Sequence, residues 1–193
     1  MKKVTIIILA AFFLAGSIIA QNDKKPVDPM QKAWMEYLTP GQMHKILENS
    51  VGKWKTVSKF WAYPGAEPQQ SEGEAEFKMI LGGRYLEAEY HGLIMGMPFQ
   101  GKSIEGYDNI KKEFFSIWID NMGTGIAIAY GKYDAEKHVF NYKGTMTDPV
   151  SGKDVSFSNI VNISDKNKVV FDMYGKDNNG KEFLMMKMIY TRK

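Results

Sequence analysis

Beyond residue 52 the chain alternates apolar and polar positions with a period of two, the spacing that sends successive side chains to opposite faces of a strand. In residues 53–61 the set Trp54, Thr56, Ser58 and Phe60 opposes Lys53, Lys55, Val57, Lys59 and Trp61, so the lysine face meets water. Glu72, Glu74, Glu76 and Lys78 likewise alternate with Gly73, Ala75, Phe77 and Met79. After Gly82-Gly83, the residues Leu86, Ala88 and Tyr90 oppose Glu87, Glu89 and His91, and the same phase turns Arg84 inward. Further strands are predicted over 99–107, 113–120, 124–133, 137–146, 154–163, 168–175 and 181–192. Turn-forming residues separate them, including Pro64-Gly65, Gly96-Met97-Pro98, Asp108-Asn109, Asp148-Pro149 and Asn178-Asn179-Gly180.

About ten strands joined by short local connections describe an antiparallel up-and-down meander. A sheet of that size rarely stays flat and open, and curling shut removes both of its edges. The expected fold class is therefore all-β: an up-and-down barrel of about ten strands, with a two-sheet sandwich as the alternative. Ahead of it, Thr39, Pro40 and Gln42 suit the N-cap, N1 and N3 positions of a short helix whose apolar face is Met43, Ile46 and Leu47 and which stops near Gly52. Such a helix would plug one end of the barrel.

The first residues fit another purpose. Lys2 and Lys3 precede an apolar run at 4–14, and Ile18-Ile19-Ala20 offers small-residue cleavage, the layout of a secretory signal peptide. The run is short for a membrane span of about 20 residues. The expected organisation is a signal peptide over 1–20, a flexible tether over 21–38 with a short helical turn at its end, and a barrel domain over 39–193. Secretion or a periplasmic location, with cleavage near Ala20, follows, without stable membrane insertion after cleavage. The formal charge of +3 falls to +1 once Lys2 and Lys3 are removed, too little for a nucleic-acid-binding surface. The absence of cysteine excludes disulfides, thiolate metal sites and thiol nucleophiles.

Two residues suggest how the barrel closes. Trp54 opens the first strand and Arg192 ends the last, and a guanidinium over an indole is attractive by roughly 0.5–2 kcal/mol. That pairing resembles the closure signature of the calycins, the superfamily of lipocalins and fatty-acid-binding proteins. In order, Leu81-Gly82-Gly83-Arg84-Tyr85-Leu86, Gly96-Met97-Pro98-Phe99, Gly106-Tyr107-Asp108, Trp118-Ile119-Asp120, Asp148-Pro149 and Tyr190-Thr191-Arg192 resemble a bacterial family of unknown function thought to be calycin-like. The resemblance runs from about residue 44 to the C-terminus. It implies a lipocalin-like barrel and carries over no catalytic residue.

Candidate chemistry is sparse. His44, His91 and His138 do not converge by phase, no H-x-x-x-H spacing occurs, and each reads as a single exposed His rather than a metal ligand. No His follows His138 to hold haem, and Met185, Met186 and Met188 read as core fillers, so neither metal nor cofactor is expected. A Ser-His-Asp site lacks its G-x-S-x-G elbow. The inward phase instead gathers Phe60, Phe77, Tyr90, Phe99, Tyr107 and Trp118 with the carboxylates Glu105 and Asp120. With Met79, Met95, Met97, Met122, Met146 and Met173 as a compliant lining, this predicts a lumen for a small apolar or amphipathic molecule. Its expected binding residues are Arg84, Tyr90, Phe99, Glu105, Tyr107, Trp118 and Asp120, and residues 92–96 would form a flexible apolar cover over the mouth. The alternatives are a cofactor-free hydrolase or isomerase, with Glu105 or Asp120 as base and Arg84 or a Tyr as stabilising donor, and an interaction module using Trp61 and the loops. A binding protein is favoured over an enzyme. The oligomeric state and the ligand's identity have no signature in the sequence.

Overall fold

The computed structural model describes residues 28–193. The expected signal peptide over 1–20, and the tether as far as residue 27, lie outside the described residues. Two helices, α1 (Pro29–Leu38) and α2 (Gln42–Glu48), precede ten strands. In chain order the strands are β1 (Gly52–Phe60), β2 (Gln69–Ile80), β3 (Tyr85–Ile94), β4 (Met97–Asp108) and β5 (Glu113–Asp120), then β6 (Ala127–Asp134), β7 (Val139–Thr147), β8 (Asp154–Asp165), β9 (Lys168–Lys176) and β10 (Glu182–Arg192). Each strand pairs antiparallel with its successor, and β1 pairs with β10, so the sheet is a closed barrel. The predicted fold class and strand order hold.

The seam lies where the sequence placed it. Trp54 and Arg192 are register partners, and the guanidinium carbon sits 4.1 Å from the centre of the indole. Arg192 also donates to three main-chain carbonyls, those of Val51 at 2.6 Å, Asn49 at 2.9 Å and Lys166 at 2.9 Å. Asn49 is the C-cap of α2, so a cation meets the negative end of that helix. Below it Trp54 is 1% exposed, and its Nε1 donates to Ser50 at 2.9 Å.

Aspartates set most of the turns. Asp108, Asp120, Asp134, Asp148, Asp165 and Asp177 each accept from main-chain N–H groups two to four residues onward, closing six of the hairpins. Residues 92–96 do not form the expected flexible cover. They end in a tight hairpin, with Ile94 paired to Met97 and the intervening Met95 and Gly96 both at positive φ (52° and 77°).

Helix α2 plugs one end of the barrel through Leu47, 1% exposed, with Met43 and Ile46 packed beside it. Its N-cap is Gly41 rather than Thr39. The Gly41 N–H donates to Nδ1 of His44 at 3.0 Å, so His44, expected exposed, is buried at N3 and does the work assigned to Gln42. Thr39 instead ends α1, its hydroxyl donating to the Met35 carbonyl. Over Pro29–Leu38 the expected tether is helical, started by Asp28, whose side chain accepts from the Met30 N–H at 3.0 Å.

Candidate functional site

The interior of the barrel is graded. At the helix end Trp54, Leu86 and Phe114 are almost fully buried. Toward the opposite end, the inward residues Phe60, Phe99, Trp118, Ala127, Met146, Met173 and Met188 keep accessible surface, although strands flank each of them. Inward residues nearer the helices, such as Met79, Tyr107, Tyr133 and Val169, keep some as well, so accessible space inside the barrel is not confined to one end. Small inward residues let large ones pack against them: Ala75, Ala88 and Ala129 are buried, and Trp118 lies across Gly101 so closely that a side chain there would collide with the indole at 2.5 Å.

Aromatic rings wall the mid-depth of this space. Tyr90 stands 5.0 Å from Trp118, 5.8 Å from Phe77 and 6.2 Å from Tyr190, and Phe99 stacks on Trp118 at 6.2 Å. The Tyr90 and Tyr190 hydroxyls meet at 3.2 Å, joining β3 to β10 through the interior. Burial raises the pKa of both, and the neighbouring Glu105 adds to the rise, so both stay neutral at physiological pH.

Glu105 is the chemical centre of the lumen. It lies on the inward row between its register partners Leu86 and Ser116, and the accessible surface it keeps belongs to the interior. Desolvation alone raises its pKa to about 7, because no hydrogen bond or ion pair reaches the carboxylate among the described residues. Its charge is felt by Tyr90, Tyr142 and Tyr190, which places it among three phenols. Among the described residues four further buried side-chain atoms have no hydrogen-bond partner: Ser103 Oγ, Tyr142 Oη and Asn159 Oδ1 on inward rows, and Asp172 Oδ1, which has the ammonium of Lys187 3.1 Å away. Ser103 is close enough to the Tyr90 hydroxyl to influence its titration, yet does not reach hydrogen-bonding geometry. Tyr142 and Asn159 are register partners on β7 and β8. Unpartnered buried polar groups are costly and uncommon in folded proteins, so a group of them facing one space marks a place where something polar is received.

The other expected site residues divide. Phe99 and Trp118 line the lumen toward its mouth. Asp120 is occupied: Oδ2 accepts from the Trp118 indole at 2.7 Å, and Oδ1 accepts from the N–H groups of Met122 at 2.9 Å and Gly123 at 3.2 Å. It holds Trp118 and the β5–β6 turn instead of offering a free base. Arg84 is not in the lumen. It belongs to the β2–β3 turn at the helix end and donates to the main-chain carbonyls of Leu38 at 2.6 Å and Leu81 at 3.1 Å. The expected pairing of Arg84 with Glu105 or Asp120 does not occur, so of the two donors expected for the hydrolase or isomerase alternative, Arg84 or a Tyr, Arg84 drops out. Tyr107 packs at the helix end, 4.7 Å from Phe114 and edge-on to His44 at 5.9 Å. Met95, Met97 and Met122 are exposed at the rim, so the Met lining is Met79, Met146, Met173 and Met188.

Outside the lumen, a cleft of about 180 Å³ lies between the end of α1 and the barrel, lined by Leu38, His44, Arg84, Tyr107 and Asn109 among others. Its Arg84 and Asn109 side chains are already engaged. Asn109 donates to the Glu36 and Thr39 carbonyls at 2.8 Å each, and Arg84 to Leu38. The lumen groups lack such partners, which makes the lumen the better candidate. Among the described residues no three His, Asp or Glu side chains gather as a metal would require, and no helix is long and apolar enough to cross a membrane.

Residues 39–192 match a known sequence family, and the chain belongs to it: the family described as protein of unknown function, DUF1579. No curated protein is a match. Among solved structures, Rv2717c from M. tuberculosis shares the fold at a TM-score of 0.57 and 12% identity, over 80% of this chain and 99% of its own. The S-type phycobiliprotein lyase CPES from Guillardia theta is similar at a TM-score of 0.52 and 8% identity, over 83% of this chain and 96% of its own. Identities this low speak for shared architecture alone.

Proposed function

We propose that the protein binds and carries a small apolar or amphipathic molecule in the barrel lumen, reached through the end opposite the helices. We place it outside the cytoplasm, secreted or periplasmic after cleavage near Ala20. The observation that carries the binding reading is the set of inward polar groups without partners, Glu105, Ser103, Tyr142 and Asn159, beneath an aromatic and methionine wall. Apolar walls with a few convergent polar groups are the usual composition of small-molecule sites. The rim supports the same reading, since Leu93, Met95, Met97, Met122 and Ile126 are exposed around the proposed entrance, where an apolar molecule would leave water.

Protein purified without detergent and analysed by denaturing mass spectrometry is expected to release a copurifying small molecule. Stripped protein is expected to take up a lipophilic dye saturably, with loss of that uptake when Ala88→Trp fills the lumen. Absence of both a copurified molecule and saturable uptake would remove the proposal. Sequencing the N-terminus of the exported protein tests the location, with Gln21 or a close neighbour expected first.

A further inference from the structure

The interior offers hydrogen-bond acceptors and negative charge without any positive counterpart. Along the inward rows of all ten strands there is no Lys and no His. The one Arg, Arg192, is spent on the carbonyls of Asn49, Val51 and Lys166 at the helix end. The charge of Glu105 reaches Tyr90 on the neighbouring β3, Tyr142 on β7, whose register partner on β8 is Asn159, and Tyr190 on β10; beside it are Ser103 on β4 and Ser116 on β5. The nearest other carboxylate on an inward row, Asp120, is engaged with Trp118 and its own turn.

An anionic head group would enter this space against Glu105 with no cation to receive it. A purely apolar ligand would leave Glu105, Ser103, Tyr142 and Asn159 as unpaired as they are without it. An ammonium group answers both conditions. It donates to the carboxylate, and the Tyr90 and Tyr190 rings, which the charge of Glu105 reaches, attract a cation by their quadrupoles. We infer that the lumen selects amphipathic molecules carrying a protonated amine, which pairs with Glu105 beside Tyr90 and Tyr190. This rests on the lumen-binding reading above and adds the chemical class of the head group.

Calorimetric titration with three probes of equal chain length, decylamine, decanol and decanoate, tests it. At about pH 8 decylamine is expected to bind about tenfold or more tighter than the other two, the value of one charge-assisted hydrogen bond. Glu105→Gln is expected to raise the decylamine Kd by about the same factor and leave decanol within about twofold. Because Glu105 takes up a proton near pH 7, acidification of the unmodified protein to about pH 5 should weaken decylamine and leave decanol unchanged, a readout that needs no variant to fold. Equal or tighter binding of decanol or decanoate, or an amine preference that survives both Glu105→Gln and acidification, would overturn the inference while leaving lumen binding intact. No saturable binding of any probe would overturn both.

Discussion

At the scale of single residues, Trp54 and Glu105 represent opposite situations. Trp54 is packed, hydrogen-bonded and covered by a cation. Trp54→Ala should cost about 3–5 kcal/mol, read as the shift of a urea unfolding midpoint, a large part of the stability of an ordinary domain. Glu105 is a residue the fold tolerates rather than uses. Its folded pKa of about 7 lies above its ordinary value of 4.5, so between those values the folded chain holds a proton that the unfolded chain has released. Stability should therefore fall as pH rises from about 4.5 through about 7, by as much as about 3 kcal/mol, and then level off. Glu105→Gln should lack this dependence and unfold later than the unmodified protein at about pH 8, which paired thermal scans at two pH values would reveal. His44 works the other way. Burial lowers its pKa from 6.5, with the charge of Arg84 adding to the fall and a main-chain contact at Tyr107 opposing it. The unfolded chain then gains a proton first as pH drops below about 6.5, and stability contributed by neutral His44 is lost there.

The phase of Glu105 was legible from alternation alone, but its isolation was not, since that depends on which strands face it across the barrel. Asp120 shows the converse. Its phase is inward, as read, yet the chain holds a better signal: Asp120 is one of six aspartates that end a strand and begin a turn, and Asn121, Met122 and Gly123 after it resemble the turns at Asp108 and Asp177. Comparing turns along the sequence would have assigned it to the hairpin.

Among the elements, the strands were the most legible. Residues 113–120 were predicted to the residue, and the other predicted bounds fall within about three residues, because period-two alternation and turn residues agree throughout. The outer face shows what the charged half of that alternation does: Lys78 pairs with Glu87 at 3.0 Å and Lys102 with Glu89 at 2.8 Å, a ladder across β2, β3 and β4. Helix placement was less legible. Thr39-Pro40-Gly41-Gln42 contains one cap for the helix before it and one for the helix after it, and His44, which accepts through a ring nitrogen, lies outside the usual capping set. Arg84 was misplaced because a phase counted back from β3 runs into a turn, where alternation no longer applies.

Its real task makes a prediction for α1. All residues of α1 are exposed, and its end is tied to the barrel through the Asn109 and Arg84 bonds to the carbonyls of Glu36, Leu38 and Thr39. The double change Arg84→Ala with Asn109→Ala should release the helix, so that amide exchange over 29–38 accelerates about tenfold or more while the β-strand amides keep their protection. Ligand uptake should be unchanged, since neither side chain reaches the lumen.

For the whole molecule, closure is the organising fact. The barrel has no free edge only while β1 lies against β10, and Arg192 binds both the strand seam and the helix plug. Arg192→Ala should therefore loosen two structures together. Removing its hydrogen bonds and ring contact should cost about 2 kcal/mol in chemical unfolding, and hydrogen exchange should rise at both β10 and α2.

The same seam dictates an order of events. The partner that completes β1 is the tenth strand to be delivered, so while the protein is being synthesised its first strand waits with one side unclaimed. A chain arrested before β10 emerges would hold nine neighbouring strands and two raw borders, an invitation to stick to its copies. Its outward lysines at 53, 55 and 59 keep that waiting strand in water.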